Sequence, residues 1–86
     1  MSWTEKKRGI LPIKIPLIIE SIDAYRSIFE QHGVKLHEWY IDADYTRPAT
    51  SIDFVVQIRE NADILKLFAA MQQVYPTNNI SLQNEI

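Results

Sequence analysis

In residues 52–59 the apolar side chains Ile52, Phe54, Val56 and Ile58 alternate with Asp53, Val55, Gln57 and Arg59. A period of two lays one apolar row along one face of a strand. Just beyond, Ile64, Leu67, Phe68, Met71, Val74 and Tyr75 recur at helical spacing until Pro76, which predicts a helix with a single apolar stripe that proline terminates. The first half of the chain repeats this order. Leu11, Ile13, Ile15, Leu17 and Ile19 alternate with positions that include Pro12, Lys14 and Pro16, a strand pattern over residues 11–19. Ile22, Tyr25, Ile28, Phe29 and His32 then share one helical face over residues 22–32, with Ser21 placed as N-cap and Gly33 as the left-handed stop.

The links between these elements leave two questions open. Pro12 and Pro16 have the same parity, so both missing amide donors face one neighbour, and the first strand must lie at an edge or carry a bulge. After Gly33, Val34 and Leu36 begin a second strand, yet Trp39 and Ile41 have the opposite parity. Either that strand bulges near His37 and Glu38 and turns Trp39 and Ile41 toward the core, or the two side chains lie on the other sheet face. Residues 42–51 are polar and contain Pro48, which predicts a hairpin connection into the 52–59 strand. Asn61 is placed as cap of the second helix with Asp63 in its first turn, Asn78 and Asn79 as a turn, and Ile80 and Leu82 as the opening of a short last strand.

Two strand-helix-strand units joined by a hairpin bury their one-sided faces most simply as an α+β, ferredoxin-like βαββαβ plait, a four-stranded antiparallel sheet with two helices on one face. Residues 10–86 are assigned to this plait and residues 1–9, with Lys6, Lys7 and Arg8, to a flexible basic leader. A chain of 86 residues with 47% hydrophobic content holds one core. At this size only ~60% of the unfolded surface is buried on folding, so association would add stability.

Composition removes several functions. The chain has no cysteine, which excludes disulfide scaffolds and thiolate metal centres. Its net charge of −2 and pI near 5.6 lack the basic footprint of a nucleic-acid binder, and Phe54, the aromatic residue of the 52–59 strand, has the inward parity rather than that of a base-stacking platform. Its two glycines, Gly9 and Gly33, stand apart, so no phosphate-cradling loop is present. The apolar stretch over residues 10–19 holds Pro12, Lys14 and Pro16 and is about half the ~20 residues of a spanning helix. These features predict a cytoplasmic, non-enzymatic domain without nucleic-acid partners.

The stretch Tyr25-Arg-Ser-Ile-Phe-Glu-Gln-His-Gly33-Val-Lys-Leu36 resembles the passage from first helix to second strand in ACT-type regulatory domains, and residues 52–82 follow the same template in element order. A narrower resemblance is to the ACT-like cytosolic domain at the C-terminus of MgtC/SapB-type membrane proteins. There, a basic junction like Trp3 with Lys6, Lys7 and Arg8 joins the plait to the last membrane helix, and aromatic and basic residues favour the cytoplasmic interface. The resemblance implies a regulatory or protein-interaction domain, at the cytoplasmic face of a membrane if the narrower one holds. ACT domains that bind amino acids carry an acidic residue and a glycine in the turn before the first helix; this chain has Ile19-Glu20-Ser21, so that ligand mode is not carried over.

Candidate site residues follow from the sheet. Without a bulge, Ile18, Trp39, Ile41 and Val55 form an apolar patch on the uncovered face, the kind of surface that marks an interface, and a homo-oligomer is expected through it. The alternative is a stand-alone sensor that takes a small metabolite or metal ion at a dimer crevice. His32, His37, Asp42 and Asp44 are the residue types of a metal site, but their spacing matches no tight motif. His32 is read as a helix C-terminal residue and the aspartates as turn residues, and no cofactor or catalytic residue is assigned.

Overall fold

The computed structural model describes residues 6–59, 61–77 and 79–84. Its elements run β1 (Lys6–Ile15), α1 (Asp23–Gln31), β2 (Lys35–Asp44), β3 (Ala49–Arg59), α2 (Ile64–Val74) and β4 (Gln83–Asn84). The sheet order is β2-β3-β1-β4, with every pairing antiparallel. Three long strands carry it, and the two-residue β4 meets β1 at Gly9 and Ile10. The order is that of a ferredoxin-like plait. No helix among the described residues is long and apolar enough to cross a membrane.

β1 starts earlier than the 11–19 pattern predicts. Lys6 to Gly9, assigned above to a leader, pair with Arg59 to Val56 as part of the ladder; residues 1–5, including Trp3, lie outside the described residues. The strand also ends sooner, at Ile15, because Pro16 opens the connection to α1. The proline conflict resolves in the pairing. The ladder from β1 to β3 passes through Pro12 opposite Asp53 without a register shift. On the other side, the pairs Gly9–Asn84 and Ile10–Gln83 are followed by the isolated bridge Ile13–Ile80, and none of them involves Pro12. β1 is therefore interior by order but behaves as an edge where Pro12 sits, which is where a missing donor costs least. Gly9 lies at the close approach to β4: a Cβ there would stand 2.9 Å from the Gln83 carbonyl oxygen.

α1 begins one residue later than predicted, with Ile22 in the cap position; the Ser21 hydroxyl still accepts from the Asp23 amide at 3.0 Å. Gly33 stops the helix at φ 70°, a conformation glycine adopts without a steric penalty. Asp63, rather than Asn61, caps α2, its carboxylate accepting from the Lys66 amide at 3.1 Å. The hairpin is tighter than residues 42–51, since β2 runs to Asp44 and β3 starts at Ala49. Asp44 folds that turn by accepting from the amides of Thr46 and Arg47. Asn78 lies outside the described residues.

Both helices cover the same face of the sheet. Leu11, Ile15, Ile52, Phe54 and Val56 from β1 and β3 meet Tyr25, Phe29, Leu67 and Met71 in one core. Phe54 sits in the middle, edge-on to Phe29 with ring centroids 5.0 Å apart and tilted against Tyr25 at 5.4 Å, geometries that aromatic quadrupoles favour. Thr50 is the one buried polar residue among those described. Its hydroxyl donates to the Leu17 carbonyl at 2.8 Å and accepts from the Ile19 amide at 3.3 Å, so it ties the β1–α1 connection to the start of β3.

Candidate functional site

β2 is an outer strand, and of its ten residues only Leu36 is even half-buried. Its pairing with β3 shifts between Leu36 and Glu38, leaving His37 as the extra residue. Of the two arrangements that the change of parity leaves open, this is the bulged one. Residues directly opposite each other in an antiparallel ladder point to the same face, so Trp39 opposite Phe54 and Ile41 opposite Ile52 lie on the helix-covered side. Glu38, Tyr40 and Asp42, opposite Val55, Asp53 and Ser51, lie on the open side.

The uncovered-face patch is therefore corrected. Val55 is on the open face, beside Ile10 and Glu38, and only 4% exposed. Ile18 is a half-buried residue of the β1–α1 connection, in no strand. Trp39 and Ile41 face the other way, yet the bulge does not bury them: they stay 36% and 52% exposed. The reason is coverage. The core under α1 and α2 is built on β1 and β3, with Leu36 alone of β2 packed against it, and over Trp39 stands Arg26 of α1, its guanidinium carbon 4.5 Å from the ring centroid. Such a cation–π contact holds the indole in place without excluding water from it. Arg26 also lies 3.8 Å from the Asp23 carboxylate, a helical i, i+3 pair.

Between α1 and β2 this leaves a groove of about 320 Å³ with an apolar floor of Phe29, Val34 and Leu36 and a rim of Arg26, Glu30 and Trp39. Neither Arg26 nor Leu36 is among the candidate site residues read from sequence. Arg26 is a polar residue on the exposed side of a helix, and only the packing of α1 across the sheet brings it over an indole. At the other end of the sheet, Lys14, Asp42, Asp44 and Arg47 line a broader, polar hollow.

The histidines and aspartates considered above do not converge. His32 Nδ1 lies 2.8 Å from the Ile28 carbonyl at the end of α1, and His37 Nε2 lies 3.1 Å from Gln57 Oε1 on the open face. Asp42 and Asp44 are exposed residues of β2. Among the described residues no three His, Cys, Asp or Glu side chains are placed to share a metal ion. In the core, burial, with a contribution from neighbouring Tyr75, pushes the Tyr25 phenol up to about 12. Its hydroxyl is buried and has no hydrogen-bond partner among the described residues.

No protein-family model matches the chain, and no curated protein sequence matches it. Solved structures do share its fold. A formyltetrahydrofolate deformylase from Pseudomonas putida KT2440 superposes with a TM-score of 0.71 at 13% identity, over 88% of this chain and 28% of that enzyme. A formyltetrahydrofolate deformylase from Burkholderia mallei ATCC 23344 does so with a TM-score of 0.70 at 11% identity, over 91% of this chain and 28% of that enzyme. The chain thus spans under a third of either enzyme's length, and at this identity the likeness is one of fold. It supports the plait seen in the sheet order.

Proposed function

We propose that this chain is a non-catalytic ACT-like domain that works in regulation or protein interaction by surface contact. The observation that supports this reading is the uncovered outer edge of β2 with Trp39 and Ile41 exposed beside it. An uncovered strand edge flanked by large apolar side chains is a template for association. The deformylases that share the fold match over 28% of their length, in keeping with a domain that serves a larger assembly instead of carrying the chemistry.

A second reading, a sensor for a small metabolite or metal ion at a dimer crevice, draws on the groove between Arg26, Leu36 and Trp39. Thermal unfolding in the presence of each amino acid and of divalent cations separates the two. A ligand held at a hundred times its dissociation constant stabilises the fold by about 2.7 kcal/mol, a rise in midpoint of roughly 10 °C or more for a domain of this size. A flat screen is the expected result. A reproducible, concentration-dependent rise would replace the contact reading with the sensor.

The finer assignment, to the cytosolic domain of an MgtC/SapB-like membrane protein at the cytoplasmic face, rests on Trp3 and the Lys6, Lys7, Arg8 run. It predicts a hydrophobic multi-helix segment encoded in frame upstream of the Met1 codon. A stop codon immediately before Met1 at the source locus would remove this assignment and leave the domain reading intact.

A further inference from the structure

We propose that a cavity at the end of the sheet where β1 begins and β3 ends binds a small organic anion, a monocarboxylate with a short aliphatic body and no amino group. This cavity shares no lining residue with the groove beside Trp39 and is independent of the contact reading. The inward row of β1 builds it. Lys7 and Gly9, opposite Ile58 and Val56, continue the row of Leu11, Ile13 and Ile15 toward the start of the strand. The row loses its apolar bulk there, because Gly9 has no side chain and Lys7 stays exposed. The gap at Gly9 is held open by its neighbours: a Cβ there would stand 3.0 Å from Leu82 Cδ1 as well as 2.9 Å from the Gln83 carbonyl oxygen. On the other side, the Ala62 amide donates to the Arg59 carbonyl at 3.1 Å, a turn that carries β3 into α2 and brings Ile64, the first residue of α2, to the same cavity.

The lining selects the ligand. Ile58, Ile64 and Leu82 form apolar walls, Ile58 buried and the other two half-buried, around a volume of about 190 Å³. Lys7 and Arg59 are exposed at its rim, which Arg8 also lines. Among the described residues no carboxylate lines the cavity, although the chain as a whole carries a net charge of −2. Cations gathered on one rim attract an anion. A guanidinium holds a carboxylate through two parallel hydrogen bonds, and an ammonium adds a point charge. The walls then take an aliphatic body out of water. The volume is well below the ~300–1,000 Å³ of pockets that hold drug-sized ligands, which limits that body to a few carbon atoms. The same rim rejects α-amino acids, since an ammonium beside the carboxylate would meet Lys7 and Arg59 with like charge. A flat amino-acid screen is therefore what this site predicts as well.

Amide NMR titration of the isotope-labelled whole chain with sodium isocaproate, at constant pH and ionic strength, tests this. Saturable shifts are expected at Lys7, Gly9, Ile58, Arg59, Ile64 and Leu82. Along the series acetate, butyrate, isocaproate, affinity is expected to rise roughly fourfold for each methylene that enters the walls. Leucine, which is isocaproate with an α-amino group, and isocaproamide, which lacks the charge, are expected to bind at least about tenfold more weakly than isocaproate. Lys7→Gln and Arg59→Gln change exposed side chains, and each is expected to weaken isocaproate about tenfold, with the dispersion of the amide spectrum reporting that the variant is folded. The ligand series on the wild type decides the matter even if a variant is not. Absence of saturable shifts, shifts centred elsewhere on the chain, acetate or leucine binding as tightly as isocaproate, or folded variants that bind it unchanged would each overturn the site. None of these outcomes touches the contact reading, whose surface lies at β2.

Discussion

Replacing Phe54 by alanine is expected to remove about 3–5 kcal/mol of stability, the range for truncating a fully buried aromatic side chain. Phe54 is 0% exposed, and its ring is the shared neighbour of Tyr25 and Phe29 from α1. Deleting it forfeits its transfer free energy and leaves a cavity between sheet and helix that neither α1 nor β3 can close without breaking its own hydrogen-bonded ladder. A domain of this size holds roughly 4–13 kcal/mol in total, at ~0.05–0.15 kcal/mol per residue, so the variant stands near the limit of folding. Urea unfolding measures the loss as a lower midpoint at unchanged slope. A loss below about 1 kcal/mol would show that the core is not centred on this ring.

Tyr25→Phe is expected to have its largest effect at high pH. The protonated phenol is the form the core tolerates, and its ionisation is raised from 10.0 to about 12 by burial and by neighbouring Tyr75. Above pH 10 the unfolded chain sheds a proton that the folded chain keeps. Stability contributed by this group is therefore complete below pH 10 and is lost as pH rises through about 12. With allowance for solvent screening at the half-buried Tyr75 side of the cluster, the loss is on the order of 1–2 kcal/mol. The phenylalanine variant lacks this component. At neutral pH it also removes a buried hydroxyl that has no partner among the described residues, a group whose burial costs ~1–3 kcal/mol, so the variant should match or exceed wild-type stability by up to about 1 kcal/mol. Urea unfolding from pH 9 to 12 on both proteins gives the comparison. A variant with the same alkaline decline assigns it to another group, and a variant weakened at neutral pH gives the hydroxyl a bonding partner.

The elements were legible wherever one-sided burial imposes a period on the sequence. The alternation of Ile52, Phe54, Val56 and Ile58 is the buried row of β3, and the stripe from Ile64 to Tyr75 is the inner side of α2 and its cap. Gly33 at φ 70° was legible because few other residues accept that conformation. The ends were less so. Lys6 to Gly9 have a leader's composition, yet they pair with the far end of β3, and nothing local announces a partner some fifty residues away in sequence. Asp63 displaced Asn61 as cap because both are good capping residues, and the helix starts where its apolar face first meets the sheet.

What the residues determined alone is the alternation of strand and helix, the inward rows and the change of parity between Leu36 and Trp39, since each follows from local geometry and one-sided burial. Tertiary structure decided that a bulge at His37 resolves that change and turns Trp39 and Ile41 to the helix side, how Pro12 is accommodated in a strand that lies inside the sheet order, and which apolar residues stay wet. Exposure depends on what the rest of the chain places over a residue. The core under the two helices takes in β1 and β3 but, of β2, only Leu36 packs against it, so Trp39 and Ile41 remain at the surface despite their inward parity.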